Sequence, residues 1–182
     1  MEKVWITSDL HLCHDRPFCY EPRGFSTVSE MNKAIVKNWN ETVGPNDRVY
    51  VLGDLMLCNN KEGASLIKTL KGKLYIILGN HDTDVRAKMY EDLDNVETVG
   101  FGSRVRYKKW SFLLTHYPTL CANLDDGKSV SRHTINLCGH SHTLDKWADW
   151  DKGCIYHCEL DAHNMFPVAL DEIIDDLRTR PE

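Results

Sequence analysis

The side chains able to do chemistry stand at the ends of apolar runs in this sequence. Val4-Trp5-Ile6-Thr7-Ser8 is followed by Asp9-Leu10-His11, Val49-Tyr50-Val51-Leu52 by Gly53-Asp54, and Leu74-Tyr75-Ile76-Ile77-Leu78 by Gly79-Asn80-His81-Asp82. Further on, Phe112-Leu113-Leu114-Thr115 leads to His116, and Ile135-Asn136-Leu137-Cys138 to Gly139-His140-Ser141-His142. Asp9, His11, Asp54, Asn80, His116, His140 and His142 mix carboxylate, amide and imidazole donors without a thiolate. That mixture suits Mn2+, Fe, Zn2+ or Ni2+ and argues against a structural Cys-rich zinc site. Seven donors are too many for one ion of ordinary coordination. They suit two divalent ions that share a bridging carboxylate and leave positions open for water and substrate. Ions about 3.5–4 Å apart clamp phosphoryl oxygens and aim a hydroxide in line with the leaving group, so the donor set points to displacement at phosphorus.

The elements that must position these residues follow from periodicity. Residues 3–8 form a short apolar run and predict a strand. Over 26–43 the apolar residues Met31, Ile35, Trp39 and Val43 recur every four positions until Gly44-Pro45 ends the pattern, which predicts an amphipathic helix packed on a sheet. The continuous apolar runs 49–52 and 74–78 look like buried parallel strands, with helices expected over 61–70 and 83–90. In the second half, 96–99, 103–109, 111–115, 135–138 and 155–160 are strand-like runs separated by turns, which predict a second sheet. Leu170, Ile173, Ile174 and Leu177 close the chain at helical spacing. The expected fold is α/β, two mixed sheets packed face to face with helices outside in a four-layer αββα sandwich. Ligands bind beyond the carboxyl ends of strands in such sheets, so the five polar ends are expected to converge on one pocket. Glycines before Asp54, Asn80 and His140 fit the tight strand-to-loop turns this needs.

Composition sets the outer bounds. A chain of 182 residues fits one domain spanning 1–182, and 22 Lys+Arg against 27 Asp+Glu give a net charge of −5 that disfavours a nonspecific nucleic-acid binder. No apolar stretch approaches the roughly 20 residues of a bilayer span and the first residues lack the pattern of a signal peptide, so the expected compartment is the cytoplasm. Seven cysteines with no C-x-x-C pair argue against a disulfide framework.

The ordered set Asp9-x-His11, Gly53-Asp54, Gly79-Asn80-His81-Asp82, His116 and Gly139-His140-x-His142 resembles the calcineurin-like metallophosphoesterase superfamily. Ser8-Asp9-Leu10-His11-Leu12-Cys13-His14, the stretch 31–54 and Thr115-His116-Tyr117-Pro118 are similar to a branch of small single-domain phosphoesterases of bacteria and their viruses. The resemblance implies the two-sheet sandwich and a pair of divalent ions, Mn2+ first. Asp9, His11, Asp54 and His142 would hold one ion, with Asn80, His116, His140 and the bridging Asp54 on the other. It gives His81 contact with the phosphate and protonation of the leaving oxygen. Asp82 is expected to orient His81, with closure of the loop as its alternative.

Around this set, His14 and Arg23 are expected substrate contacts, with Asn80 and His81, and Arg16 and Arg23 could bind a second phosphate or the body of a nucleotide. Arg104, Arg106 and Lys108 read as a solvated strand face. The expected reaction is hydrolysis of a phosphodiester of a nucleotide or cyclic nucleotide by a metal-bridging hydroxide. A phosphomonoesterase on a small metabolite and a catalytically silent scaffold are the alternatives. A small phosphorylated substrate is the expected partner, with no membrane.

Overall fold

The computed structural model describes residues 2–121 and 132–180. The stretch between the His116 and Gly139 motifs therefore falls, over 122–131, outside the described residues. The chain opens with β1 (Val4–Thr7), a one-turn helix α1 (Pro17–Tyr20), α2 (Val28–Thr42), β2 (Arg48–Leu52), α3 (Asn60–Ile67), β3 (Lys73–Ile77), α4 (Asp84–Glu91) and β4 (Val96–Gly100). It continues through β5 (Ser103–Tyr107), β6 (Trp110–Leu114), β7 (Thr134–Cys138), α5 (Trp150–Gly153), β8 (Ile155–His157), β9 (Val168–Ala169) and α6 (Leu170–Thr179).

Two mixed sheets result. The first has the order β4-β3-β2-β1-β9, parallel except for β9, and the second β5-β6-β7-β8, with only β5 antiparallel. Register explains the uninterrupted apolar runs. Trp5, Val49 and Leu74 align and face the helices, while Ile6, Tyr50 and Tyr75 align on the opposite face, toward the second sheet. Both faces of these strands are covered, so no polar alternation survives. Met31, Ile35 and Trp39 bury the stripe of α2 in the outer layer, and the Trp39 indole N–H donates to the Lys71 carbonyl at 2.8 Å. Phe112, Leu114, Ile135, Leu137 and Tyr156 of the second sheet meet Ile6, Leu52 and Ile77 in the core between the sheets, which Leu170, Ile173, Ile174 and Leu177 of α6 close. Each fully buried side chain of this kind contributes about 1.5–3 kcal/mol.

Local signals set the boundaries. The Thr27 hydroxyl accepts from the Glu30 N–H at 3.2 Å and caps α2, and Asn59 and Thr83 do the same for α3 and α4. Two expectations need correction. Residues 96–99 were expected in the second sheet, but β4 is the parallel edge of the first, reached from β3 through α4. An edge strand is half exposed, and Glu97 and Thr98 give it the polar look of an antiparallel strand. The run 155–160 is also not one strand. After His157 the chain leaves β8, Glu159 bridges to Ser8 at the end of β1, and Leu160–His163 form a 3-10 turn.

Candidate metal centre

The carboxyl ends of β1, β2, β3, β6 and β7 deliver the seven candidate donors to one cluster. Hydrogen bonds carry the pairing of β1 and β2 into their loops. Asp9 N–H donates to the Gly53 carbonyl at 3.1 Å, His11 to Asp54 at 3.0 Å and Leu12 to Leu55 at 3.0 Å. The backbone turns sharply there. Of ten described non-glycine residues with positive φ, five are Asp9, His11, Asp54, His140 and His142, a concentration of strain of the kind that packed surroundings hold in place at functional sites. Two glycines permit the approach. Gly53 has φ +97°, and a Cβ there would stand 2.4 Å from His116 Nδ1. A Cβ on Gly139 would stand 2.3 Å from Asp9 Oδ2, which accepts the His140 N–H at 2.8 Å.

Two groups of donor atoms share one oxygen. Asp9 Oδ1 lies 3.8 Å from His11 Nε2 and 3.6 Å from His142 Nε2, and the two imidazole nitrogens are 3.0 Å apart. In the second group Asn80 Oδ1 lies 2.9 Å from both His116 Nε2 and His140 Nδ1. Asp54 Oδ2 sits between them, 3.7 Å from His11 Nε2 and 3.7 Å from His116 Nε2. Its other oxygen is taken by the His81 N–H at 2.9 Å. Donors about 2.1 Å from a common ion stand about 3.0–3.4 Å apart, close to these spacings.

In the neutral imidazoles, the outer hydrogen bonds leave these atoms as acceptors facing acceptors. His116 Nδ1 donates to the Leu52 carbonyl at 2.8 Å, so in the neutral ring Nε2 turns a lone pair toward Asn80 Oδ1. His142 Nδ1 donates to Asp161 Oδ2 at 3.2 Å and turns Nε2 inward. Asp9 Oδ1 is buried without a hydrogen-bond partner. Converging lone pairs and an orphaned buried carboxylate oxygen fit divalent cations, and the imidazole N–H groups fixed by carbonyl and carboxylate are the usual outer support of metal-ligating histidines.

Charge is arranged accordingly. Burial works against the Asp9 carboxylate, but the neighbouring His11 and His142 imidazoles keep its pKa below the ordinary value. Burial lowers the pKa of His11 despite Asp9, and the Asp161 hydrogen bond raises that of His142. Burial and the neighbouring cationic groups push His14 down to about 4.

The remaining expected site residues divide. His14 stacks on His11 with ring centroids 5.2 Å apart and lines the cavity over the cluster. His81 stands at the rim, its side chain 41% exposed and Nε2 3.9 Å from Asp54 Oδ2. Asp82 does not orient the His81 ring. Its Oδ2 accepts from the Asp54 and Gly79 N–H groups at 2.8 and 2.9 Å and its Oδ1 from the Tyr90 hydroxyl at 2.8 Å, so it closes the loop. Burial and that carboxylate hold the Tyr90 phenol protonated.

Arg23 also departs from expectation. Its side chain is 2% exposed, and its donors go to Asp161 (2.9 and 2.8 Å), the Asp9 and Leu10 carbonyls (2.7 and 3.1 Å) and Met31 Sδ (3.7 Å). A guanidinium has five N–H groups, so none is left for a phosphate. Against the cost of burial, His142 and Arg23 hold the Asp161 carboxylate well below the usual range. Asp161, absent from the sequence expectations, thus ties the Asp9 loop to His142. Glu159, also absent from them, is fully buried and accepts from the Ser141 N–H and the His157 ring at 3.1 and 3.0 Å. Asp161 carries no strand-end signal in the sequence, because it follows a mixed run that holds His157 and Glu159 and lies in the 3-10 turn beyond β8, not at a strand end.

Fold and site together define a buried Asp/His/Asn donor cluster suited to a divalent metal at the strand ends of a two-sheet α/β sandwich. A sequence model of the calcineurin-like phosphoesterase superfamily domain matches residues 2–156, and the chain belongs to that family. It is 33% identical to the uncharacterized protein MJ1445 of Methanocaldococcus jannaschii over 181 residues, covering 96% of this chain and 90% of that one. The Gene 66 protein of Mycobacterium phage L5 is 29% identical over 171 residues, 79% of each chain. The fold is also that of AQ665, a protein of unknown function from Aquifex aeolicus, with a TM-score of 0.75 at 21% identity over 96% of this chain and 99% of that chain. The family supports metal-dependent hydrolysis of phosphate esters.

Proposed function

We propose that the protein is a single-domain hydrolase cleaving a phosphodiester of a nucleotide or cyclic nucleotide, with two divalent ions, Mn2+ first, as cofactors. The observation that carries this reading is the convergence of Asp9 Oδ1, His11 Nε2 and His142 Nε2 on one side of Asp54 Oδ2 and of Asn80, His116 and His140 on the other. Asp9, His11 and His142 would hold one ion and Asn80, His116 and His140 the second, with Asp54 available to both. When bound, such a pair supplies Lewis acidity to the phosphoryl oxygens and lowers the pKa of a water. The chain's own residues do the rest. His81 reaches over the rim to protonate the leaving oxygen, and Arg86 holds the His81 carbonyl and so the loop. His14 contacts the substrate, while Arg23 and Asp82 position the ligand loops. A cavity of about 670 Å3 over the cluster has room for both substituents of a diester. Seven free cysteines support a reducing compartment, the cytoplasm. No helix among the described residues is long and apolar enough to cross a membrane.

A hydrolysis screen of the metal-free protein with added ions, using an aryl phosphodiester and an aryl phosphomonoester, tests the reading. Diester turnover dependent on Mn2+ is expected, with His81→Ala lowering kcat about 10²–10⁴-fold and leaving bound metal unchanged. Preference for the monoester moves the substrate to small phosphorylated metabolites. Bound metal with no turnover of either ester returns the scaffold.

A further inference from the structure

The rim of the centre is apolar. Seven large hydrophobic side chains are exposed among the described residues, and three of them, Phe18, Tyr117 and Leu144, border the cluster. Phe18 projects from α1 at 72% exposure while its neighbour Cys19 is buried beneath it, so the turn is pinned with the ring held outward. That ring meets His14 edge to face at 5.4 Å and lines the cavity together with Pro22 and Leu144, which is 81% exposed two residues beyond His142. Across the cluster, the Tyr117 ring packs against His140 at 4.6 Å.

The same cavity lacks a free cation. Apart from histidines, its only cationic side chain among the described residues is Arg23, every donor of which is bound to protein. Arg86 is tied to the His81 and Cys58 carbonyls, and Arg16, near enough to affect His14, is outside the lining. Asp161 adds a carboxylate to the wall. A phosphate held away from the metal cluster would therefore meet apolar carbon and an Arg23–Asp161 pair whose charges already satisfy each other, whereas a flat ring there would remove Phe18, Pro22 and Leu144 from water.

We propose that Phe18 and Leu144 are specificity-determining residues. They select esters with one phosphoryl group and a flat, apolar or aromatic substituent, and the site rejects substrates with a second phosphate beyond that substituent. This rests on the phosphoesterase reading above for the place of the phosphoryl group.

Calorimetric titration of the Mn2+-loaded protein with phenyl phosphate, methyl phosphate and 1,4-phenylene bisphosphate tests it without requiring turnover. Phenyl phosphate is expected to bind at least tenfold more tightly than methyl phosphate, about 1.4 kcal/mol, and at least threefold more tightly than the bisphosphate. In a Phe18→Ala/Leu144→Ser variant the phenyl-to-methyl ratio should fall below three. Both positions are exposed, and unchanged circular dichroism and metal content confirm that the variant is folded. A wild-type ratio near one, a bisphosphate that binds more tightly, or a ratio unchanged in the variant overturns the proposal. Selectivity without turnover of any ester removes the enzymatic reading and keeps this pocket. Turnover without selectivity does the reverse.

Discussion

The half of the centre around Asp9, His11 and His142 is backed by charge, whereas the half around Asn80, His116 and His140 is backed by dipoles. In the first, Arg23 grips the Asp9 and Leu10 carbonyls and Asp161, and Asp161 grips His142. In the second, His116 leans on the Leu52 carbonyl, and Asp82, beneath the Asn80 loop, holds only backbone N–H groups and a phenol. The first half has its own carboxylate and a share of Asp54. The second has only the share. Two halves of one donor cluster, alike in donor number, therefore differ in what holds their donors still, and under the proposed two-ion reading the first ion should enter the Asp9 half.

The largest expected effect comes from the charged half. Arg23→Met leaves the buried Asp161 carboxylate without its guanidinium and should lower unfolding free energy by about 3–5 kcal/mol, measured by denaturant titration. A loss under about 1 kcal/mol would mean the pair is not a structural clamp. Next, Asp161→Asn keeps the volume but loosens His142, so the tighter metal step should weaken about 10–100-fold while the weaker step stays put. Equal weakening of both steps would erase the distinction between the halves. On the dipolar side, Tyr90→Phe removes one hydrogen bond to Asp82 and should cost about 1–3 kcal/mol of stability, with both metal steps retained.

The smallest effect is a pH dependence beneath the His140-His142 loop. His157 is fully buried between Glu159 and Asp149, with Cys138 Sγ 3.9 Å from Nδ1 and His163 Nε2 donating to its carbonyl. Burial opposes its charge, but Glu159 and Asp149 prevail and raise its pKa. A raised histidine pKa stabilises the fold below the unfolded value near 6.5, and that contribution is lost as pH rises through the folded pKa. The melting-temperature gap between the protein and His157→Gln should therefore be widest below about pH 6.5 and narrow toward alkaline pH. A gap that widens with pH would contradict the assignment.

The donors were legible because each is a local event, a polar residue that halts an apolar run where a buried strand must end. Their supports were not. Arg23 and Asp161 are 138 residues apart, and nothing near either announces the pairing. Asp82 follows a histidine, but its oxygens are taken by the Asp54 and Gly79 N–H groups and the Tyr90 hydroxyl, partners that adjacency does not reveal. The placement of β4 is not legible because a half-exposed edge strand reads the same whichever sheet it joins. The segment 157–163 crosses from the second sheet to the end of β1, so it has neither strand nor helix period to read.

The most direct test of the shared Asp54 is calorimetric titration of the metal-free protein with Mn2+, beside Asp54→Ala. Two steps per chain of unequal affinity are predicted, both severely weakened in the variant. One step, equal steps, or a variant that keeps both ions would contradict a centre of two unlike halves joined by one carboxylate.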